Sequence, residues 1–147
     1  MNNYPKWWDK TITIYNKFED PQTRVVRWYR NVLNNCFWKN SFQRLKIGEV
    51  EVQTDSIICR IPPKNNFLTR PEWLNVPNDT KADYFTLAQG DIVILGEIED
   101  NINEYESGHR SSDILNKYKA YGSMVIDRCN DNTGANLGIP HYHIEGV

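Results

Sequence analysis

Hydrophobic and polar residues alternate over Lys10–Phe18, KTITIYNKF. Ile12 and Ile14 fall on one side and Thr11, Thr13 and Tyr15 on the other, the period of a half-buried strand. EDPQT then predicts a turn around Asp20-Pro21, because proline presets the φ that a turn requires. RVVRWYRNVL resumes with β-branched and aromatic residues and runs on through CFWKN, which predicts the return arm of a hairpin. A third run, Ser56–Ile61, SIICRI, is stopped by Pro62-Pro63, since proline removes a ladder donor.

From 62 to 83 the alternation is lost. The segment carries four prolines and several Asn and Asp, yet also Phe67, Leu68, Trp73 and Leu74. Loops this long inside a compact domain tend to be functional. Prolines also lower the entropy lost when apolar anchors order on a partner. The alternative is a lid whose rings cover the domain's own core.

Tyr84–Leu87 reads as a strand, Gln89-Gly90-Asp91 as a turn and Asp91–Ile98 as a further strand. Its centre, Ile92-Val93-Ile94-Leu95, is continuously apolar and so is expected to be buried on both faces. Arg110–Tyr121 has helical spacing, with Ile114, Leu115 and Tyr118 on one stripe. Ser111 or Ser112 is a candidate cap, Asp113 suits the positive end and Gly122 suits the position after the last turn. SMVIDRCND returns to strand, NDNTGANLGIP is loop and HYHIEG is the last strand, with Tyr142 and Ile144 inward.

These elements predict an α+β fold of six to eight mainly antiparallel strands. The expected form is a small β-barrel or sandwich with one short helix (about 111–121) plugging an end. One domain is expected over 1–147, with an N-terminal arm at 1–9 and an extended Pro-rich loop at 62–83.

Composition adjusts this picture. Mean hydropathy is −0.66 and only 39% of residues are hydrophobic, but 5 Trp, 8 Tyr and 5 Phe can supply a core or face partners. The arm MNNYPKWWDK places Tyr4, Trp7 and Trp8 ahead of the first strand, and adjacent tryptophans near a terminus suggest docking, on the body or on a neighbour. That segment has no apolar core of a secretory signal, and no apolar run approaches the ~20 residues of a membrane span, so a soluble chain made in a cytoplasm is expected. Cys36, Cys59 and Cys129 are odd in number and lack C-x-x-C spacing, which suits buried thiols rather than a disulfide framework.

The formal charge is −2, but it is unevenly spread. Residues 1–70 hold twelve Lys+Arg and six Asp+Glu, net +6; residues 71–147 hold five and thirteen, net −8. If the halves occupy different surfaces the molecule is bipolar and suited to head-to-tail contacts; if strands from the two halves interleave, the charges mix.

Candidate chemistry is sparse. His141 and His143 share a strand face and are weak metal candidates, with Glu145 continuing that face and His109 elsewhere in a loop. A Cys129–His141 nucleophile pair would require adjacent strands. The carboxylates of GEIEDNINEYE fit a solvated loop. No phosphate-binding glycine motif occurs. No catalytic residue, metal or cofactor is therefore assigned. Arg24, Arg27 and Arg30 alternate with Val25, Val26, Trp28 and Tyr29, which leaves an OB-like single-stranded nucleic-acid-binding module as the alternative. Arg27 has the opposite parity to Arg24 and Arg30, so these cations do not form one stripe.

The order of WWDKTITIYNKFEDPQTRVVRWYRNVLNNCFWK, TLAQGDIVILGEI, SSDILNKYKAYGSMVIDRCNDN and HYHIEGV resembles a family of small proteins encoded in the structural gene blocks of tailed phages and prophages of Gram-positive bacteria. These are minor capsid, neck or head–tail connector proteins. The resemblance covers nearly the whole chain and carries no catalytic signature. It implies a non-enzymatic virion protein of the neck, a head-completion or connector protein that forms a homo-oligomeric ring. A portal or adaptor protein would lie on the head side and a tail-terminator or tail protein on the other. DNA would be a candidate occupant of the lumen, and no membrane would be involved. Tyr4, Trp7, Trp8, Phe67, Leu68 and Trp73 are then the expected partner-interface residues.

Overall fold

The computed structural model describes residues 4–134 and 138–147, and only the backbone path of 41–47 and 51–55. Residues 1–3 of the expected arm and 135–137 of the expected NDNTGANLGIP loop lie outside the described residues. Six antiparallel strands close into a barrel: β1 (Lys10–Glu19), β2 (Val26–Ile47), β3 (Val50–Ile61), β4 (Ile92–Leu95), β5 (Ser123–Asp131) and β6 (Tyr142–Gly146), in the order β1-β2-β3-β6-β5-β4. Two short helices, α1 (Arg70–Asn75) and α2 (Ser111–Tyr118), lie in the connections.

The expected hairpin from Lys10 is present, with Thr13 opposite Val32 and Phe18 opposite Arg27. Its second arm is longer than expected because β2 serves two partners. Val26–Leu33 pairs with β1, the register shifts, and Phe37–Ile47 pairs with β3. The bend falls where Asn35 takes φ 60°, a left-handed conformation that Asn tolerates better than most residues.

Burial on both faces of β4 is explained by two separate layers. Val93 joins Ile12, Ile14, Met124, Ile126 and Ile144 in the main buried cluster. Ile92 and Ile94 join Tyr15, Ile102 and Ile114 in a second cluster against α2. The helix therefore covers the outside of the barrel wall and does not plug an end, because Ile92, Ile94 and Tyr15 have the opposite parity to the inward residues. The expected helix Arg110–Tyr121 is shorter at both ends. Arg110 occupies the N-cap, and neither serine caps: Asp113 accepts from the N–H of Gly108 and Arg110 (3.1 and 3.2 Å), and Glu104 accepts from the Ser111 N–H (2.7 Å). Lys117 and the Tyr118 hydroxyl both reach Asp100, at 2.7 and 2.9 Å.

Tyr84–Leu87 is not a strand. Its backbone is used locally: Phe85 donates to Asn66 O, Leu68 donates to Phe85 O, and Thr86 donates to the Asn16 side chain. At the C-terminus, Tyr142 and Ile144 are buried and inward, as the alternation predicts. Gly146 sits at a bulge where a Cβ would lie 2.1 Å from Val125 O, so only glycine permits this strand crossing.

Candidate functional site

The region 62–90 is a lid. Phe67 packs on Phe85 and Tyr142, with ring centroids 5.5 and 4.2 Å apart, and joins the periphery of the main core. Trp73, on α1, is fully buried between Phe18 and Tyr29. The Lys81 ammonium lies 4.8 and 5.5 Å from the Phe18 and Trp73 ring centres and donates to the carbonyl of Val76, at the end of α1. Burial lowers the Lys81 pKa, yet the two rings and the carbonyl supply what water would have supplied.

A buried ion pair fastens the lid to the barrel. Arg70 reaches Asp91 at 3.1 Å, donates to Lys17 O at 2.6 Å and lies over the Trp73 ring. Asp91 is fully buried and also accepts from Asn16 Nδ2 and the Lys17 N–H. Desolvation raises its pKa above the ordinary carboxyl value, and the Arg70 charge opposes that rise. These groups satisfy one another, which is the arrangement of a structural clasp.

The arm also docks on its own chain. Trp8 is buried against Tyr4, Phe37 and His141, and the Tyr4 hydroxyl donates to Pro140 O at 2.8 Å. Trp7 points the other way and is 66% exposed. Of the six expected anchors, the structure thus turns Trp7 outward and places Leu68 half-buried on the lid. Tyr4, Trp8, Phe67 and Trp73 pack within the chain. The outer face of the lid presents Leu74 and Tyr84 instead, with a groove of about 470 Å³ lined by Leu68, Val76, Pro77 and Tyr84 and edged by Glu72 and Asp83.

The histidine pair is occupied by local contacts. His143 Nε2 meets Glu145 at 2.8 Å, His141 Nδ1 meets Ile139 O at 2.6 Å, and the rings lie 6.2 Å apart. Among the described residues no group of three His, Cys, Asp or Glu side chains is placed to hold a metal ion. Cys129 is opposite Ile144 on the inward face, whereas His141 is bonded across to Asn132, so the strands are adjacent but the two side chains belong to different faces. Burial pushes the Cys36 thiol up to about 12 and Cys59 well above its ordinary value, which disarms both as nucleophiles. Arg24 pairs with Glu19 at 3.2 Å and Arg30 donates to Ile98 O at 2.5 Å; Arg27 lines a groove with Trp28, Tyr29 and Tyr105.

The largest feature that the sequence left unread is a ribbon. β6 covers β3 only over Ile57–Ile61, and β1 covers β2 only as far as Cys36. Ser41–Ile47 and Val50–Ser56 pair only with each other, roughly 23 Å of strand at ~3.3 Å per residue. The available signal was Gly48-Glu49, a two-residue turn between Leu45, Ile47 and Val50, Val52.

A closed six-stranded barrel, sealed by an internal lid and extended by a two-stranded ribbon, defines a small antiparallel β-barrel protein of α+β class. The chain belongs to a family of unknown function, DUF6751, whose model matches residues 7–147. Neither a curated protein nor a solved structure matches it.

Proposed function

We propose that the chain is a structural connector protein of a tailed-phage virion, a ring in the neck between the portal-bearing head and the tail. The observation that carries this role is the separation of charge. The barrel order keeps β1, β2 and β3 side by side as one wall and β6, β5 and β4 as the other. By sequence, the strands of the first wall hold eight Lys+Arg and three Asp+Glu, net +5, and those of the second hold one and three, net −2; most remaining acids of 71–147 lie in the lid and connections. Such a subunit attracts copies of itself head to tail, and heterologous contacts of this kind close into rings. Trp7 and the outer face of the lid offer apolar contacts for neighbours above and below. The resemblance to phage neck proteins supports the same role.

The test is removal of the gene from a phage or inducible prophage that carries it, followed by electron microscopy of the particles. Filled or leaking heads and free tails, rejoined when the chain is supplied in trans, are expected. Fully joined, infectious particles without the chain would overturn the proposal.

A second function has one observation in its favour, the groove of about 470 Å³ that sets Arg27 beside Trp28, Tyr29 and Tyr105. A single-stranded nucleic-acid platform uses such rings and cations. Among the described residues Arg27 is the one cation that lines the groove, which places this function second.

A further inference from the structure

The ribbon carries the longest run of open strand edge among the described residues. The barrel is closed, so most strands are paired on both sides, but β2 is open along one edge from Phe37 onward and β3 is open before Ile57. An isolated two-stranded ribbon is marginal in water, and its unpaired N–H and C=O groups are a template for another strand. The charges of the sequence are sorted by strand. Lys39–Ile47, KNSFQRLKI, holds Lys39, Arg44 and Lys46 and no acid; Glu49–Ser56, EVEVQTDS, holds Glu49, Glu51 and Asp55 and no base. The tip is exposed, Val50 at 64%.

We propose that the occupant of each ribbon edge is the ribbon of a second copy of this chain. The basic β2 edge of one copy pairs with the acidic β3 edge of the next. The two strands of a ribbon run in opposite directions, so copies related by rotation about an axis along the ribbon bring β2 and the neighbour's β3 together antiparallel, the geometry already used within the hairpin. Each contact leaves one basic and one acidic edge free. Assembly therefore continues until the sheet closes into a larger cylinder with no edge left. This inference rests on the ring proposed above and identifies the surface that builds it.

Native mass spectrometry of the purified chain at low ionic strength tests it, with three kinds of variant. One carries Lys39→Glu, Arg44→Glu and Lys46→Glu; a second carries Glu49→Lys, Glu51→Lys and Asp55→Lys. In the third, Phe42–Asp55 is replaced by Asn-Gly, which joins Ser41 to its cross-strand partner Ser56. The expected results are a closed oligomer for the unaltered chain and monomers for each variant alone. An equimolar mixture of the two charge variants should recover oligomers with alternating composition, because each then meets a neighbour of opposite charge although its own hairpin remains like-charged. The shortened variant, with its barrel intact by thermal unfolding, controls for folding. An unaltered chain that stays monomeric, a shortened chain that still assembles, or a mixture that recovers nothing would overturn the inference. The two proposals fail separately: a monomeric chain that is nonetheless needed to join heads to tails refutes only ribbon pairing, and ribbon-built rings of a chain dispensable for joining refute only the neck role.

Discussion

Asp91 and Arg70 show how a polar pair can hold a lid over an apolar barrel. A carboxylate without water is costly, and here its pKa is raised by desolvation although Arg70, Asn16 and the Lys17 N–H all favour the charged form. Removal of one partner from a buried pair strands the other. Arg70→Ala is therefore expected to cost about 3 kcal/mol near neutral pH, measured by urea unfolding. The pH dependence has a definite sign. A carboxyl whose folded pKa lies above its unfolded value makes the ionised fold costly at high pH, and that cost fades as pH falls through the folded value. Loss of Arg70 raises the Asp91 pKa further, so the deficit of the variant should shrink toward about pH 4, the ordinary carboxyl range. A deficit that does not change with pH would mean that Arg70 acts through its packing on Trp73. At this scale the sequence was legible where alternation decides, as at Tyr142 and Ile144, which are buried as read. It was silent on Asp91, because a carboxylate beside a turn glycine reads as turn chemistry, and only the fold brings Arg70 and Asn16 to it.

Strands within the barrel wall were legible as elements; the parts of β2 and β3 that run beyond it were not. Lys10–Phe18 and Ile92–Leu95 were readable from period and apolar continuity. The second half of β2 and the first half of β3 were not, because their alternation, Leu45 and Ile47 against Arg44 and Lys46 and Val50 and Val52 against Glu51 and Gln53, is short and set among charged residues. The helix was placed correctly on the chain and wrongly in space, since a stripe of Ile114, Leu115 and Tyr118 states that a face is buried and not what covers it. The arm gives the same lesson. Trp7 and Trp8 are indistinguishable by composition, yet Trp8 packs on Phe37 and His141 while Trp7 is exposed. Trp8→Ala is expected to destabilise by about 3 kcal/mol, the lower end for a buried tryptophan. Trp7→Ala should stay within about 0.5 kcal/mol of the unaltered chain in the same unfolding titration. Equal losses from the two would show that the arm does not dock through Trp8.

For the whole molecule, the consequential property is polarity. The order β1-β2-β3-β6-β5-β4 sets strands of net +5 side by side against strands of net −2, while most acids of the second half lie in the lid and connections. Among the described residues, His141, His143, Lys81 and Asp91 have local structural partners, and the surfaces that can meet neighbours include the ribbon edges, the exposed Trp7 and the outer face of the lid. Those are the surfaces on which the proposed neck role rests. The most direct measurement is affinity purification of the tagged chain from phage-producing cells, with quantitative mass spectrometry of what accompanies it. The account predicts portal or adaptor protein and a tail protein in fixed ratio to the chain, retained through a wash that removes ribosomes and nucleic acid. Recovery of the chain alone, or with cellular enzymes and no virion protein, would contradict it.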